Sequence, residues 1–223
     1  MKVCALIAAF NEATHIADVV GRVQRHLSDV VVVDDGSTDG TGAWARDAGA
    51  VVLRHDLNLG KGCAVRTGLA HVLAGDWTHV LLIDGDGQHD PDDIPRLLEI
   101  AERDACDVVI TERAFKKAEM PTARFYSNRI GSRILSAFIG MDLADSQSGF
   151  RLVRTDAVRG VPLRATRYEL ETEMLIKLAR RRASIARLAI PARYHGASSK
   201  LRSFRDTFRT CMLAVWYRYL SGD

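Results

Sequence analysis

"VVVVDDGSTDGT", Val30 to Thr41, decides the fold. Four successive β-branched residues read as a short strand buried on both faces, since a half-exposed strand would alternate apolar and polar side chains. Asp34 and Asp35 stand where that strand leaves the core. Gly36 suits a turn, and Ser37, Thr38 and Asp39 are residue types that cap a helix N-terminus. Strand, turn and helix start within one short stretch make half of a βα unit.

The unit repeats in both directions. Val3–Ala9 reads as a strand, followed by Asn11 and Glu12 and then by Ile16, Val19, Val20, Val23 and Leu27 at helical spacing. Downstream, "AVVLRH" is a strand and "NLGKGCAVRTGLAHVLAG" a glycine-rich turn feeding a helix. "HVLLIDGD" is a strand, "PDDIPRLLEIAE" a helix and "CDVVI" a strand. Such alternation predicts an α/β fold with a mostly parallel central sheet flanked by helices. Ligands of such sheets bind beyond the carboxyl ends of the strands. Four polar clusters fall there: Asn11–Glu12, Asp34–Ser37, Asn58–Lys61 and Asp84–Gln88. They predict one site on one edge of the sheet.

Past Thr111 the pattern loosens. Arg124 to Ile139 reads as an arginine-bearing helix, "DSQSGFRLV" as a loop entering a strand, Tyr168 to Arg182 as a helix, and "ASIARLAIPARYHGASSK" as a strand and loop. There is no internal repeat and no clear linker. A single domain over 1–205 is expected.

Composition narrows the classes. With 47% hydrophobic and 26% charged residues, the chain has the balance of a soluble globular protein. A net charge of +3 is too small to imply nucleic acid, but arginines thicken after residue 110, which suits an anionic ligand or membrane surface. Cys4, Cys63, Cys106 and Cys211 form no C-x-x-C pair, so zinc and a disulfide framework are not expected and a reducing cytosol fits. The opening "MKVCALIAAFNE" reads as a buried first strand rather than a signal peptide. No apolar run reaches the about 18 residues that span a bilayer.

"LLIDGDGQHDP", Leu81 to Pro91, carries the chemistry. If the extended conformation persists past the strand, Asp84, Asp86 and Gln88 at i, i+2 and i+4 point to one side. Two carboxylates and an amide oxygen are hard ligands suited to Mg²⁺ or Mn²⁺. The alternative is an acidic turn capping the helix after Pro91, a job Asp90 and Asp92 suit. Asp34 and Asp35 are either acceptors for a base N–H or ribose hydroxyl, or solvated turn acids. "NLGKG" offers backbone amides and Lys61 at a helix N-terminus, an anion site or an ordinary glycine turn.

The ordered set "AAFNE", "VVVDDGSTDGT", "NLGKGCAVRTGL", "DGDGQHDP", "DSQSGFRL" and Ser199–Lys200 resembles family 2 glycosyltransferases of the GT-A fold, above all the polyprenol (dolichol) phosphate sugar transferase group. The resemblance covers about residues 3–205. It implies a nucleotide-sugar-binding half over 1–113 and an acceptor half over 114–205. Ala9, Phe10, Glu12 and Asp35 are implied to hold the nucleotide, with Lys61 nearby. Asp84, Gly85, Asp86 and Gln88 are implied to hold the metal and the donor diphosphate, and Asp86 to be catalytic. Arg113 would contact a donor or acceptor phosphate, and Arg193 and Lys200 would lie on a loop closing over phosphates.

The implied reaction is sugar transfer from a GDP- or UDP-sugar, with inversion. A hydroxyl acceptor would need a general base. A lipid phosphate, already largely dianionic at pH 7, would need cations instead. Arg113, Arg124, Arg129 and Arg133 are candidates for that acceptor phosphate, with weaker claims for Arg151 and Arg154; a solvated basic face is the alternative. Asp145, Glu171 and Glu173 are candidate bases, Asp145 foremost, although each could instead order an arginine. His89 and His195 are more simply solvated than metal-bound.

Over 203–223, Phe204, Phe208, Met212, Val215, Trp216 and Tyr219 form an apolar stripe flanked by arginines. It is either an interfacial helix or a last helix packed on the domain. The expectation is a cytoplasmic enzyme, peripheral on the inner face of the cell membrane, acting on a polyprenyl phosphate. A saccharide or small-molecule hydroxyl acceptor is the alternative within the class. A signalling receiver domain and a non-catalytic nucleotide-sugar-binding subunit are the alternatives outside it.

Overall fold

A computed structural model describes residues 1–114 and 148–191, together with Ser132, Arg133, Leu135, Ser136, Gly140, Leu143 and Asp145. The expected helix over 124–139 lies outside the described residues apart from four positions. Arg124, Arg129, Arg193, His195, Lys200 and the 203–223 helix lie outside them altogether.

Among the described residues, seven strands form one sheet. They are β1 (Val3–Ala9), β2 (Asp29–Asp34), β3 (Val51–Arg54), β4 (His79–Asp84), β5 (Val108–Ala114), β6 (Arg151–Arg154) and β7 (Ile185–Pro191). The order across the sheet is β3-β2-β1-β4-β6-β5-β7. Pairing is parallel except at β6, which runs antiparallel between β4 and β5. The helices are α1 (Ile16–Gln24), α2 (Thr41–Asp47), α3 (Lys61–Ala74), α4 (Ile94–Arg103), the short α5 (Thr155–Val158) and α6 (Leu170–Arg180).

The β-branched run explains the layering. Val30 and Val32 enter one core layer with Ile16, Val19 and Val20 of α1 and Ile94 and Leu97 of α4. Val31 and Val33 enter the other with Ala64, Val65 and Leu69 of α3 and Leu170 and Met174 of α6. Successive side chains of a strand alternate between faces, so both faces of β2 must be apolar where helices cover both. Each fully buried Val, Leu or Ile contributes about 1.5–3 kcal/mol.

In register, Ala9 lies opposite Asp34, and Ala8 opposite Asp84. The three strands therefore end level, and their acids are delivered to one edge. The mostly parallel central sheet flanked by helices that the alternation predicted is the one observed. No described helix is long and apolar enough to cross a membrane.

Candidate functional site

The loops after β1 and β2 are stitched together. The Asn11 amide donates to Ser37 Oγ at 2.9 Å, Thr38 N to Asn11 Oδ1 at 2.9 Å, Glu12 N to Thr41 Oγ1 at 2.8 Å and Ala13 N to Asp39 Oδ2 at 3.0 Å. Only Asp39 also serves its own helix, accepting from Thr41 N at 3.1 Å. "STDGT" is thus mainly a clamp on the neighbouring loop, a correction to its reading as a set of helix caps. It fixes the backbone that presents Phe10 and Glu12.

Asp34 and Asp35 have separate jobs. Asp34 is wholly buried, accepts from Ser37 N at 2.8 Å and pairs with Arg54 at 3.1 Å, so it shapes the turn. Asp35, 2% exposed, accepts from Leu59 N at 3.0 Å and Gly60 N at 2.8 Å, and meets His55 Nδ1 at 2.7 Å. His55 Nε2 lies 2.9 Å from Thr67 Oγ1. The amides of the glycine turn are therefore occupied by an internal carboxylate. The anion-site reading of "NLGKG" is corrected accordingly: its anion is Asp35.

Lys61, the first residue of α3, points inward. Its ammonium lies 2.6 Å from Asp84 Oδ1 and 2.6 Å from Glu171 Oε1, and 5.6 Å from the centroid of the Tyr168 ring. Burial alone would push Lys61 down, but Asp84 and Glu171 hold it well above its ordinary value. Burial alone would raise Asp84, yet Lys61 and then His89 hold it well below the usual carboxylate range. Gly149 makes this possible: a Cβ there would lie 2.5 Å from Asp84 Oδ2.

Asp86 is placed differently. β4 stops at Asp84, Gly85 and Asp86 form a turn, and Gly87 has φ +71°. The chain folds back so that Gln88 N donates to Asp86 Oδ1 at 3.0 Å. The extended i, i+2, i+4 arrangement of Asp84, Asp86 and Gln88 is thereby corrected, because the glycines turn the chain at once. Among the described residues no group of three or more His, Cys, Asp and Glu side chains is gathered to hold a metal. Asp86 also has no ion-pair partner among them, and burial followed by the Asp84 charge raises its pKa. Gly85 is buried against Ala9, its amide 3.4 Å from Ala8 O.

Beyond Asp86, Asp90 does serve as the cap that the alternative reading expected, whereas Asp92 does not. Asp90 accepts from Asp92 N at 3.2 Å at the start of the turn before α4, and both acids pair with Arg22. His89 is buried against Phe150, with ring centroids 5.4 Å apart, and its Nε2 lies 3.7 Å from Asp84 Oδ2.

The candidate bases are committed elsewhere. Asp145, 1% exposed, accepts from Arg113 Nε at 2.6 Å and Nη2 at 3.3 Å. Glu173, also 1% exposed, accepts from Arg164 N at 2.9 Å, Ala165 N at 2.7 Å and Lys177 Nζ at 2.8 Å. Glu171 faces Lys61. Each carboxylate is shared with a cation or with amides, the arrangement expected of residues that order an arginine, a lysine or a loop. Of the arginines expected to meet an acceptor phosphate, Arg113 is half-buried and paired with Asp145, and Arg133 is exposed.

Arg151 is the residue given least weight by its sequence context. It is fully buried, donating to Ser148 O and Glu171 O at 2.7 Å each. Burial pushes its pKa down, against the charges of Glu171, Asp145 and Asp84. Its only signal was a charged residue opening an apolar strand. His55 carried no signal beyond its place at the end of β3.

A sequence model described as Glycosyl transferase family 2 matches residues 4–161. The chain belongs to glycosyl transferase family 2. Among curated members it is 36% identical over 215 residues to Glycosyltransferase AglJ of Haloferax volcanii, covering 92% of this chain and 68% of that one. It is 34% identical to the undecaprenyl-phosphate mannosyltransferase of Micrococcus luteus, covering 81% and 79%. In three dimensions this glycosyltransferase resembles the glucosyl-3-phosphoglycerate synthase of Mycobacterium tuberculosis. At 23% identity the TM-score is 0.74, covering 97% of this chain and 80% of that one. A crystal of the same synthase is described as holding Mn²⁺, UDP-glucose and glycerol 3-phosphate.

At the end of β4, Lys61 stands between Asp84 and Glu171, and Arg113 pairs with Asp145. Asp86 is the acid of this turn that no described cation pairs. Asp86 and Gln88 offer hard oxygen donors of the kind Mg²⁺ or Mn²⁺ takes, and Asp86 would be the first of them to hold one. Asp84 could join only by sharing its carboxylate with Lys61.

Proposed function

We propose that this glycosyltransferase moves a sugar, with inversion, from a GDP- or UDP-sugar to a polyprenyl phosphate at the cytoplasmic face of the membrane, using Mg²⁺ or Mn²⁺. One observation carries the choice of acceptor. Asp145, Glu171 and Glu173, the carboxylates available as general bases, are each held by cations or backbone amides. A hydroxyl acceptor requires a base; a phosphate monoester, with a second pKa of about 6, does not. The relatives named as undecaprenyl-phosphate and dolichol-phosphate mannosyltransferases support the same class.

In this reading residues 1–113 bind the donor and 114–205 the acceptor, within one domain over 1–205. Ala9, Phe10 and Glu12 line the nucleotide side, on the loop clamped by Ser37, Asp39 and Thr41. Asp35 keeps lone-pair capacity beside its three donors, since a carboxylate offers about four acceptor sites. Asp86, with Asp84 and Gln88 beside it, holds the cation, which neutralises the leaving diphosphate. Arg113, oriented by Asp145, supplies a fixed guanidinium for an acceptor phosphate. Arg124, Arg129, Arg193 and Lys200, all outside the described residues, are assigned the remaining phosphate contacts, and the apolar, arginine-flanked stretch 203–223 a peripheral membrane contact.

The test is a labelled-donor assay in which polyprenyl phosphate is the sole acceptor, run beside polyprenol and a free saccharide, with Mn²⁺ or EDTA. The expected product is lipid-linked, forms with the phosphate alone and vanishes in EDTA. Transfer to polyprenol or to the saccharide at an equal rate would overturn the acceptor assignment.

A further inference from the structure

The N-terminus of α3 is covered by a segment from the other end of the sheet. Residues 162–168 cross over Gly60 and Gly62 so closely that a Cβ at Gly60 would lie 2.5 Å from Thr166 O, and one at Gly62 2.6 Å from Thr166 C. Cys63 N donates to Thr166 O at 3.3 Å. The helix end that would otherwise present amides to an anion is therefore closed.

Glu173 holds this strap in place. Its buried carboxylate accepts from Arg164 N and Ala165 N, and Lys177 bridges it to Pro162 O. Glu171 and Glu173 stand two apart on α6, about 200° around the helix axis. One carboxylate reaches Lys61 and the other reaches the strap, so α6 grips both sides of the same junction. At the strap's end, Tyr168 lies against the Lys61 ammonium.

We propose that Glu173 is a positioning residue: by pinning residues 162–168 onto the start of α3, it holds Lys61 between Asp84 and Glu171. Asp84 then keeps its place next to Asp86. The consequence for donor binding rests on the function proposed above; the positioning of Lys61 does not.

The test uses the full chain and two readouts. The first is the acetylation rate of Lys61 by an amine-reactive ester, followed by mass spectrometry. The second is the Kd for UDP and for GDP, each with Mn²⁺. In the wild type Lys61, held between Asp84 and Glu171, is expected to react slowly. Glu173→Gln is expected to speed its acetylation at least tenfold and to weaken nucleotide binding about tenfold. Gly62→Ala, which pushes Thr166 from the opposite side while improving helix propensity, is expected to do the same and serves if Glu173→Gln fails to fold. Leu188→Ala, a buried site on β7, lowers thermal stability without touching the strap and should leave Lys61 protected. Acetylation within twofold of wild type in both strap variants would overturn the proposal. So would equal deprotection in Leu188→Ala, which marks general loosening. Deprotection in the strap variants with no nucleotide binding by the wild type sustains the positioning role and counts against the donor reading alone.

Discussion

The Lys61 ammonium sits 2.6 Å from both Asp84 and Glu171, joining the start of α3 to the end of β4 and the start of α6. Lys61 therefore acts first on its own protein. It holds one acid of the D-x-D pair in an ion pair, whereas the other, Asp86, has no such partner among the described residues.

Removing that lysine should be costly. Lys61→Met strips the buried Glu171 of its cation and leaves Asp84 only His89 at 3.7 Å; breaking a buried ion pair costs about 3–5 kcal/mol. Urea unfolding should show that loss, and Lys61→Met/Glu171→Gln should recover part of it. Equal stability of the single and double variants would show that Glu171 does not depend on Lys61.

Asp86 should trade stability for activity. Its pKa is raised in the fold, so the unfolded chain ionises it more readily, and near neutral pH this favours unfolding. Asp86→Asn is expected to raise Tm in metal-free buffer, by about 2–4 °C for each 1 kcal/mol relieved. It should also abolish transfer and remove the Tm rise that Mn²⁺ with nucleotide gives the wild type. A lower Tm with activity intact would refute the assignment.

Asp145 should behave as an orienter of Arg113. Asp145→Asn is expected to raise the acceptor KM at least tenfold while the shape of the pH–kcat profile stays as in the wild type. If the acidic limb of that profile disappeared instead, Asp145 would be the base after all.

Cys4 supplies a pH signature of the core. Burial, with the Asp29 charge, pushes its thiol up to about 12. Between its ordinary value and that one, only the unfolded chain releases the proton, so stability is present below the ordinary value and falls as pH rises. The slope reaches about 1.4 kcal/mol per pH unit. From pH 8.5 to 10.5 the wild type should lose about 2 kcal/mol more than Cys4→Ala in paired unfolding curves. Parallel losses would show that the thiol is not protonated in the fold.

By itself the sequence determined the order and type of the elements from β1 to β5 and the edge where the polar clusters lie. The run Val30–Val33 can be buried on both faces only in a sheet covered by helices, and acids at strand ends follow from the chain leaving the core there. These are local patterns, readable over a few residues. The tertiary structure decided which acids remain for a ligand. Asp34 is taken by Arg54, Asp35 by the amides of Leu59 and Gly60, Asp84 by Lys61, Asp145 by Arg113 and Glu173 by the 164–165 backbone. Most of these partners are some twenty or more residues away in the chain. A carboxylate's role depends on which donors share its small buried volume, and folding alone brings those donors together.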